Sequence, residues 1–419
     1  MNIDTILKNI DPEISAILDK SLSNKELSNS EAIKLFNSKD METSVICLIA
    51  DELRRRENGN IVTYVINRNI NFTNVCIKQC GFCAFSRDFR QEEGYLLPIE
   101  EIVSRAREAW NYGATEVCIQ AGLPPNMDGY LYVDICKAIK KELPDIHIHA
   151  FSPEEILYAS LKSNTSVHEY LKMLKEAGIG SLPGTSAEIL VKEIRNKISP
   201  GRITVEDWIK VITTAHKLDI PTTSTIMYGH METVEDIVTH LSILKKIQKE
   251  TNHFTEFVPL SFIHTESPMY NLGLIPKMRE GAGGVEVLKM HAISRIFFNQ
   301  VIKNIQVSWV KEGQKLSQII LGCGANDMGG CLINESISTS AGSQYGQLLR
   351  PKEMKKLISS AGKVPAQRTS DYKIIKEFET KEEIDCESAL DKVDPTIFGS
   401  YKQLITLNKF RYKKNSLLS

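Results

Sequence analysis

Asn71-Phe72-Thr73-Asn74-Val75-Cys76-Ile77-Lys78-Gln79-Cys80-Gly81-Phe82-Cys83-Ala84-Phe85 places three cysteines within eight residues, in the spacing C-x3-C-x2-C. Soft sulfur ligands select iron–sulfur clusters, zinc or copper(I), and a ligating thiol must give up its proton. Three thiolates this close suit three corners of a cubane iron–sulfur cluster, with the fourth iron left without a protein ligand. Gly81 lets the backbone turn where the sulfurs converge. Phe82 and Phe85 can keep water away. A structural zinc site competes, but it normally takes four ligands, and no second C-x2-C follows. Cys118 and Cys136 fall in ordinary strand and helix patterns. A disulfide framework is disfavoured, because nine cysteines in a long chain lacking a secretory pattern suggest a reducing compartment.

The segments around this loop predict the fold. Residues 61–66 read as a strand that delivers the chain into the cysteine loop. Strand-like runs then recur at 115–120, 146–151, 222–228, 254–262, 305–309 and 318–321. Helical patterns separate them at 98–112, 130–142, 168–177, 204–216, 232–249 and 285–302. Such alternation predicts parallel strands with crossover helices, and the count predicts an α/β fold of the (β/α)8 TIM-barrel type. Residues 1–58 predict a helical N-terminal extension; Ser28 and Glu31 have capping-box spacing ahead of Ala32, Leu35 and Phe36. The expected units are this extension, a barrel over 59–350, and a C-terminal helical segment and tail over 351–419. Strand alternation turns Glu116, Gln120, His147 and His149 toward the barrel interior. As single residues, these histidines equally suit satisfied strand ends.

Composition excludes several classes. The 419 residues carry a formal charge of −1, so no global field favours nucleic acid or an anionic membrane. The basic runs Arg54-Arg55-Arg56 and Arg411-Tyr412-Lys413-Lys414 are short and suit a solvated face or tail. No apolar stretch is long enough to span a bilayer. A cytoplasmic enzyme with no nucleic-acid or membrane partner is expected.

With the aromatic before its last cysteine, the triplet resembles the signature of radical S-adenosylmethionine (SAM) enzymes. That resemblance implies a 4Fe-4S cluster on Cys76, Cys80 and Cys83. It also implies SAM chelated to the open iron and cleaved to a 5′-deoxyadenosyl radical. Phe82, Gln120, Gly122, Ser186 and Glu188 are then the SAM contacts. Glu188 lies in Ser181-Leu182-Pro183-Gly184-Thr185-Ser186-Ala187-Glu188-Ile189-Leu190, read as a short strand opening a helix, with Arg195 two turns on. A polar strand end at Gly229-His230-Met231-Glu232 and a glycine-rich loop at Gly324-Ala325-Asn326-Asp327-Met328-Gly329-Gly330 narrow the match.

Together these segments resemble the family of tyrosine-handling subunits of 7,8-didemethyl-8-hydroxy-5-deazariboflavin (FO) synthase, from about residue 45 to 375. The family implies a transferase in deazaflavin coenzyme biosynthesis, with L-tyrosine and 5-amino-6-(D-ribitylamino)uracil as substrates. A 4-hydroxybenzyl group passes from the first to the second. A partner radical SAM subunit closes the ring, and a ferredoxin or flavodoxin supplies electrons. Candidate substrate contacts at predicted strand ends are His149, His230, Glu232, Asn326 and Asp327. The alternative is a futalosine-pathway menaquinone enzyme, of the aminofutalosine or cyclic dehypoxanthinylfutalosine synthase type. Thr185-Ser186-Ala187-Glu188 and the Cys83-Ala84-Phe85-Ser86-Arg87-Asp88 continuation tilt toward FO synthesis.

Overall fold

Ser28 and Glu31 cap each other as their spacing predicts. The Ser28 hydroxyl accepts from the Glu31 N–H at 3.3 Å, and the Glu31 carboxylate accepts from the Ser28 N–H at 2.7 Å. The box starts helix Asn29–Asn37, whose Ala32, Leu35 and Phe36 stripe is buried. Helix Asp40–Asn58 follows and packs along helix Gly284–Phe297 on the outside of the main body. Lys289 ties the two layers, donating to the carbonyls of Phe36 and Ser38. The N-terminal helices thereby cover an apolar face that the barrel helices would otherwise expose.

In the computed structural model, residues 3–78 and 80–413 are described. Lys414 of the last basic run lies outside them. Nine strands follow the opening helices: β1 (Ile61–Val65), β2 (Asn67–Ile70), β3 (Glu116–Ile119), β4 (His147–Ala150), β5 (Thr222–Tyr228), β6 (Phe254–Ser261), β7 (Asp327–Gly330), β8 (Val364–Arg368) and β9 (Ile374–Glu377). Three sheets result, ordered β7-β1-β8-β9, β2-β3-β4 and β5-β6. Every ladder between these strands is parallel except β8–β9. Isolated parallel bridges His149–Ser181, Leu182–Thr222, Phe257–Ile305 and Gln306–Asp327 link the sheets in turn. The order of pairing therefore runs around the cavity as in a (β/α)8 fold, although no continuous ladder closes the ring. Residues 181–182 and 305–306 contribute single bridges where full strands would stand.

Three expectations need correction. The run 318–321 is not a strand: it lies in helix Trp309–Ile320 and its cap, with Ile320 and Leu321 buried and Ile319 exposed. Three apolar residues after Gln318 cannot by themselves distinguish strand from helix. The glycine-rich stretch read as a loop contains β7, wholly buried; its small residues let Gln306 and Asn67 pack against the strand. The segment 351–419 is not simply helical. After helix Pro351–Ser360 it forms the β8–β9 hairpin, and β8 pairs with β1 from Ile61–Val364 to Tyr64–Gln367. Among the described residues, no helix is long and apolar enough to cross a membrane.

Candidate active site

Parallel strands bring their C-terminal ends to one rim, and loops at that rim carry the chemistry in such folds. The cysteine loop follows β2 and is fixed by backbone on both sides. The Gly122 N–H donates to the Thr73 carbonyl and the Ile77 N–H to the Leu123 carbonyl, both at 2.9 Å. A side chain at Gly122 would collide with the Val75 carbonyl, so the loop after β3 braces the cysteines only because that residue is glycine. Gly81 serves by close approach rather than by a special turn. Its N–H donates to Ile198 O at 2.9 Å, its carbonyl accepts from Met269 N–H at 2.7 Å, and a Cβ there would lie 2.9 Å from that of Met269.

Cys76, Cys80 and Cys83 line one cavity of about 420 Å³. Burial pushes the Cys76 thiol up, and pushes Cys80 to about 12 against the pull of Arg202. Such thiols stay protonated until a metal displaces the proton. Among the described residues no three His, Cys, Asp or Glu side chains converge on a single ion position. Three thiols lining one cavity, in a loop fixed by backbone hydrogen bonds, suit the donor set of an iron–sulfur cluster.

Across the cavity, Ser186 and Glu188 hold positive φ angles of 65° and 40°. Each such non-glycine residue costs on the order of 1–3 kcal/mol and needs surroundings that enforce it. The enforcement is visible. Glu188 accepts from Arg195 at 3.0 Å and from Arg202 at 2.8 Å, and its carbonyl accepts from Met227 N–H at 2.7 Å. Arg202 also donates to the Ser186 hydroxyl at 2.7 Å and to the Cys80 sulfur at 3.5 Å. One guanidinium thus couples the cysteine loop to the 186–188 turn. Glu188 does not open a helix; that helix is Lys192–Ile198, and Arg195 reaches back from it. The sequence offered no signal for Arg202, which is distant in the chain from the cysteines.

The opposite end of the cavity is a closed polar network. Arg368 pairs with Asp327 at 2.5 and 3.0 Å, Thr63 donates to Asp327, and Tyr372 donates to Glu256. Asn67 donates to Glu116 at 2.9 Å. Thr63, Asn67, Glu116, Glu256 and Asp327 lie in the N-terminal halves of their strands, and Arg368, the last residue of β8, and Tyr372 of the turn at 369–373 reach them to form a floor. His147 and His149 share the Ser181 hydroxyl, each at 2.7 Å, and burial lowers His149 to about 4, which leaves it neutral.

Of the residues singled out from sequence, the cavity gathers Cys76, Cys80, Cys83, Phe82, Gln120, Gly122, Ser186, Glu188, Glu116 and His149. It does not gather His147, whose ring packs beneath Gly180. Nor does it gather His230, Glu232, Asn326 or Asp327. The Glu232 carboxylate accepts from the N–H groups of Gly229, His230 and Met231 and pairs with Arg279 at 2.5 Å. His230 is wholly buried beside it. Asn326 is consumed by Arg295, Ile305 and Asn304, and Asp327 by Arg368 and Thr63. Strand ends attract polar residues for two reasons: His230 and Glu232 here hold neighbouring backbone, and Asn326 and Asp327 mainly hold side chains.

Comparison with known proteins agrees with this geometry. Residues 70–244 match the radical SAM superfamily, and residues 251–381 match the CofH/MqnC C-terminal region. A Methanocaldococcus jannaschii protein named 5-amino-6-(D-ribitylamino)uracil--L-tyrosine 4-hydroxyphenyl transferase is 50% identical over 84% of this chain and 98% of its own length. The chain belongs to that transferase family. A Methanothermobacter thermautotrophicus member of the same name is 45% identical over 88% of this chain and all of its own. Among solved structures, the FeFe-hydrogenase maturase HydG from Carboxydothermus hydrogenoformans shares the fold. Its TM-score is 0.68 at 16% identity, over 88% of this chain and 83% of that one. Methylornithine synthase (PylB) scores 0.67 at 19% identity, over 85% and 98%. As a member of the radical SAM superfamily, the transferase uses a 4Fe-4S cluster and SAM.

Proposed function

We propose that this chain joins the 4-hydroxybenzyl group of L-tyrosine to 5-amino-6-(D-ribitylamino)uracil in deazaflavin synthesis. The observation that carries the reading is the 45–50% identity, over nearly the full length of relatives named for this reaction. The match to the CofH/MqnC C-terminal region supports it as well. When bound, the cluster and SAM supply a hydrogen-abstracting radical, chemistry that belongs to the cofactor rather than to side chains.

The residues of the chain then bind, orient and exclude. Cys76, Cys80 and Cys83 hold the cluster. Phe82, Gln120, Gly122, Ser186 and Glu188 form the SAM side, with Arg202 fixing Glu188 relative to Cys80. His149, neutral and oriented by Ser181, offers its other ring nitrogen to a polar substrate. The floor closes one end against water, which a carbon radical requires. The proposed units are a helical extension over 1–58, a barrel over 59–350 that β8 extends by pairing with β1, and the rest of the segment over 351–419. A cytoplasmic site, a ring-closing radical SAM partner and a small electron-transfer protein complete the proposal.

The test is anaerobic reconstitution with SAM, reductant, tyrosine and the diaminouracil, read by mass spectrometry. The 4-hydroxybenzyl adduct is expected. Cleavage of SAM without that adduct would overturn the reading and favour a futalosine-type enzyme.

A further inference from the structure

Four side-chain cations line the cavity: Lys78, Arg202, Lys311 and Arg368. Three are engaged. Lys78 donates to the Gly201 carbonyl and faces Glu154 at 3.4 Å, Arg202 binds Glu188 and Ser186, and Arg368 binds Asp327. Among the described residues the Lys311 ammonium meets no hydrogen-bond acceptor and no carboxylate within ion-pair distance.

The carboxylates nearest in charge do not answer it. Glu335 is bound to the N–H groups of Ser338 and Thr339 and to the Thr339 hydroxyl, at 2.7, 3.1 and 3.1 Å. Glu312 is buried with one oxygen unpartnered, and burial raises its carboxyl toward the neutral form. Burial also pushes the Lys311 ammonium down, with Glu335 and Glu312 opposing. Lys311 lies in the single turn Trp309–Glu312, which Gly313 at φ 75° breaks from the rest of helix Trp309–Ile320. Among the described residues no ion pair accounts for a lysine here. An anion entering the cavity would.

Position narrows the anion. Lys311 follows the stave at 305–306, so it stands on the same rim as the cysteine loop, above the floor. On the proposed function, three reactants enter this cavity. The diaminouracil is neutral, and the SAM carboxylate belongs on the cluster side. The carboxylate of the amino acid is left. We infer that Lys311 binds the α-carboxylate of the amino-acid substrate and fixes that molecule at the rim. It thereby selects an amino acid over the corresponding amine. The inference rests on the proposed function.

The test is equilibrium dialysis of labelled L-tyrosine and of tyramine, which lacks the carboxylate, against cluster-loaded protein with SAM. Wild type is compared with Lys311→Met, Lys311→Gln and Lys311→Arg. Loss of a charge-assisted contact in a desolvated site is expected to weaken tyrosine binding about 10- to 100-fold in the two neutral variants. Tyramine binding should stay within about twofold, the Arg variant should recover most of the affinity, and the KM values for SAM and the diaminouracil should hold. Iron content and thermal unfolding confirm that each variant is folded. Equal weakening of tyrosine and tyramine would overturn the assignment, and so would a shift in SAM or diaminouracil with tyrosine unchanged. A wild-type enzyme that binds no tyrosine would instead sink the functional reading itself.

Discussion

The two ends of the cavity are built on opposite rules. At the floor, polar groups find one another: Arg368 with Asp327, Tyr372 with Glu256, Asn67 with Glu116. At the rim, the chain holds Ser186 and Glu188 at positive φ, three thiols in one cavity and, among the described residues, a lysine without a partner. The floor spends its polar groups on structure, whereas the rim keeps its own available for ligands. In a barrel of parallel strands this division follows from direction, because rim loops can vary while the strand starts must close the core.

The largest break in that comparison comes from the rim. Cys83→Ala removes one of the three proposed cluster anchors. Iron content and the visible absorption of anaerobic protein should fall, and SAM cleavage should drop by about three orders of magnitude or more. The fold should survive, because the loop is held by backbone hydrogen bonds through Gly81 and Gly122. A variant that keeps full activity would remove the basis for the cluster.

At the floor the effect should be the reverse: stability lost before chemistry. Asp327→Asn leaves Arg368 as a buried charge without its partner. Denaturant unfolding should show a loss of about 3–5 kcal/mol. Replacing both residues together, Asp327→Leu with Arg368→Met, should recover much of it. If the single variant unfolds like wild type, the floor is not the stabilising element described here.

A smaller and pH-dependent effect separates the ends more finely. Glu155 caps helix Pro153–Lys162 through Ser152 and accepts from the Ala121 N–H at 3.0 Å. Burial raises its carboxyl to about 7 despite those hydrogen bonds. Between roughly pH 4.5 and 7 the folded chain keeps a proton that the unfolded chain has lost, so stability falls as pH rises across that window, by roughly 3 kcal/mol in all. Glu155→Gln should flatten this part of the curve. A wild-type curve that is level there, or a variant with an unchanged slope, would show that the raised carboxyl does not govern the trend.

How much of this was legible in the sequence varies by element. The cysteine spacing named the chemistry, since ligands close in sequence must be close in space. The helices showed through their apolar stripes, and Ser28 with Glu31 marked a boundary to the residue. The run 318–321 is helical where a strand was expected, since its three apolar residues fit either period. Strand β7 was hidden by its glycines, which exist to admit Gln306 and Asn67. His230, Glu232, Asn326 and Asp327 carried polar chemistry at strand ends, but His230 and Glu232 hold the backbone beside them, while Asn326 and Asp327 take partners from distant segments. Arg202 and Lys311 escaped notice for the same reason: nothing local marks an arginine or a lysine that matters only by what surrounds it.

Read by itself, the sequence determined the cysteine triplet, the α/β class and the order of most elements, because each depends on spacing along the chain. Only the tertiary structure decided which polar residues face the cavity, which close its floor, and which cation stays unpaired. Those outcomes depend on groups brought together from distant segments, and burial fixes what each must hydrogen-bond.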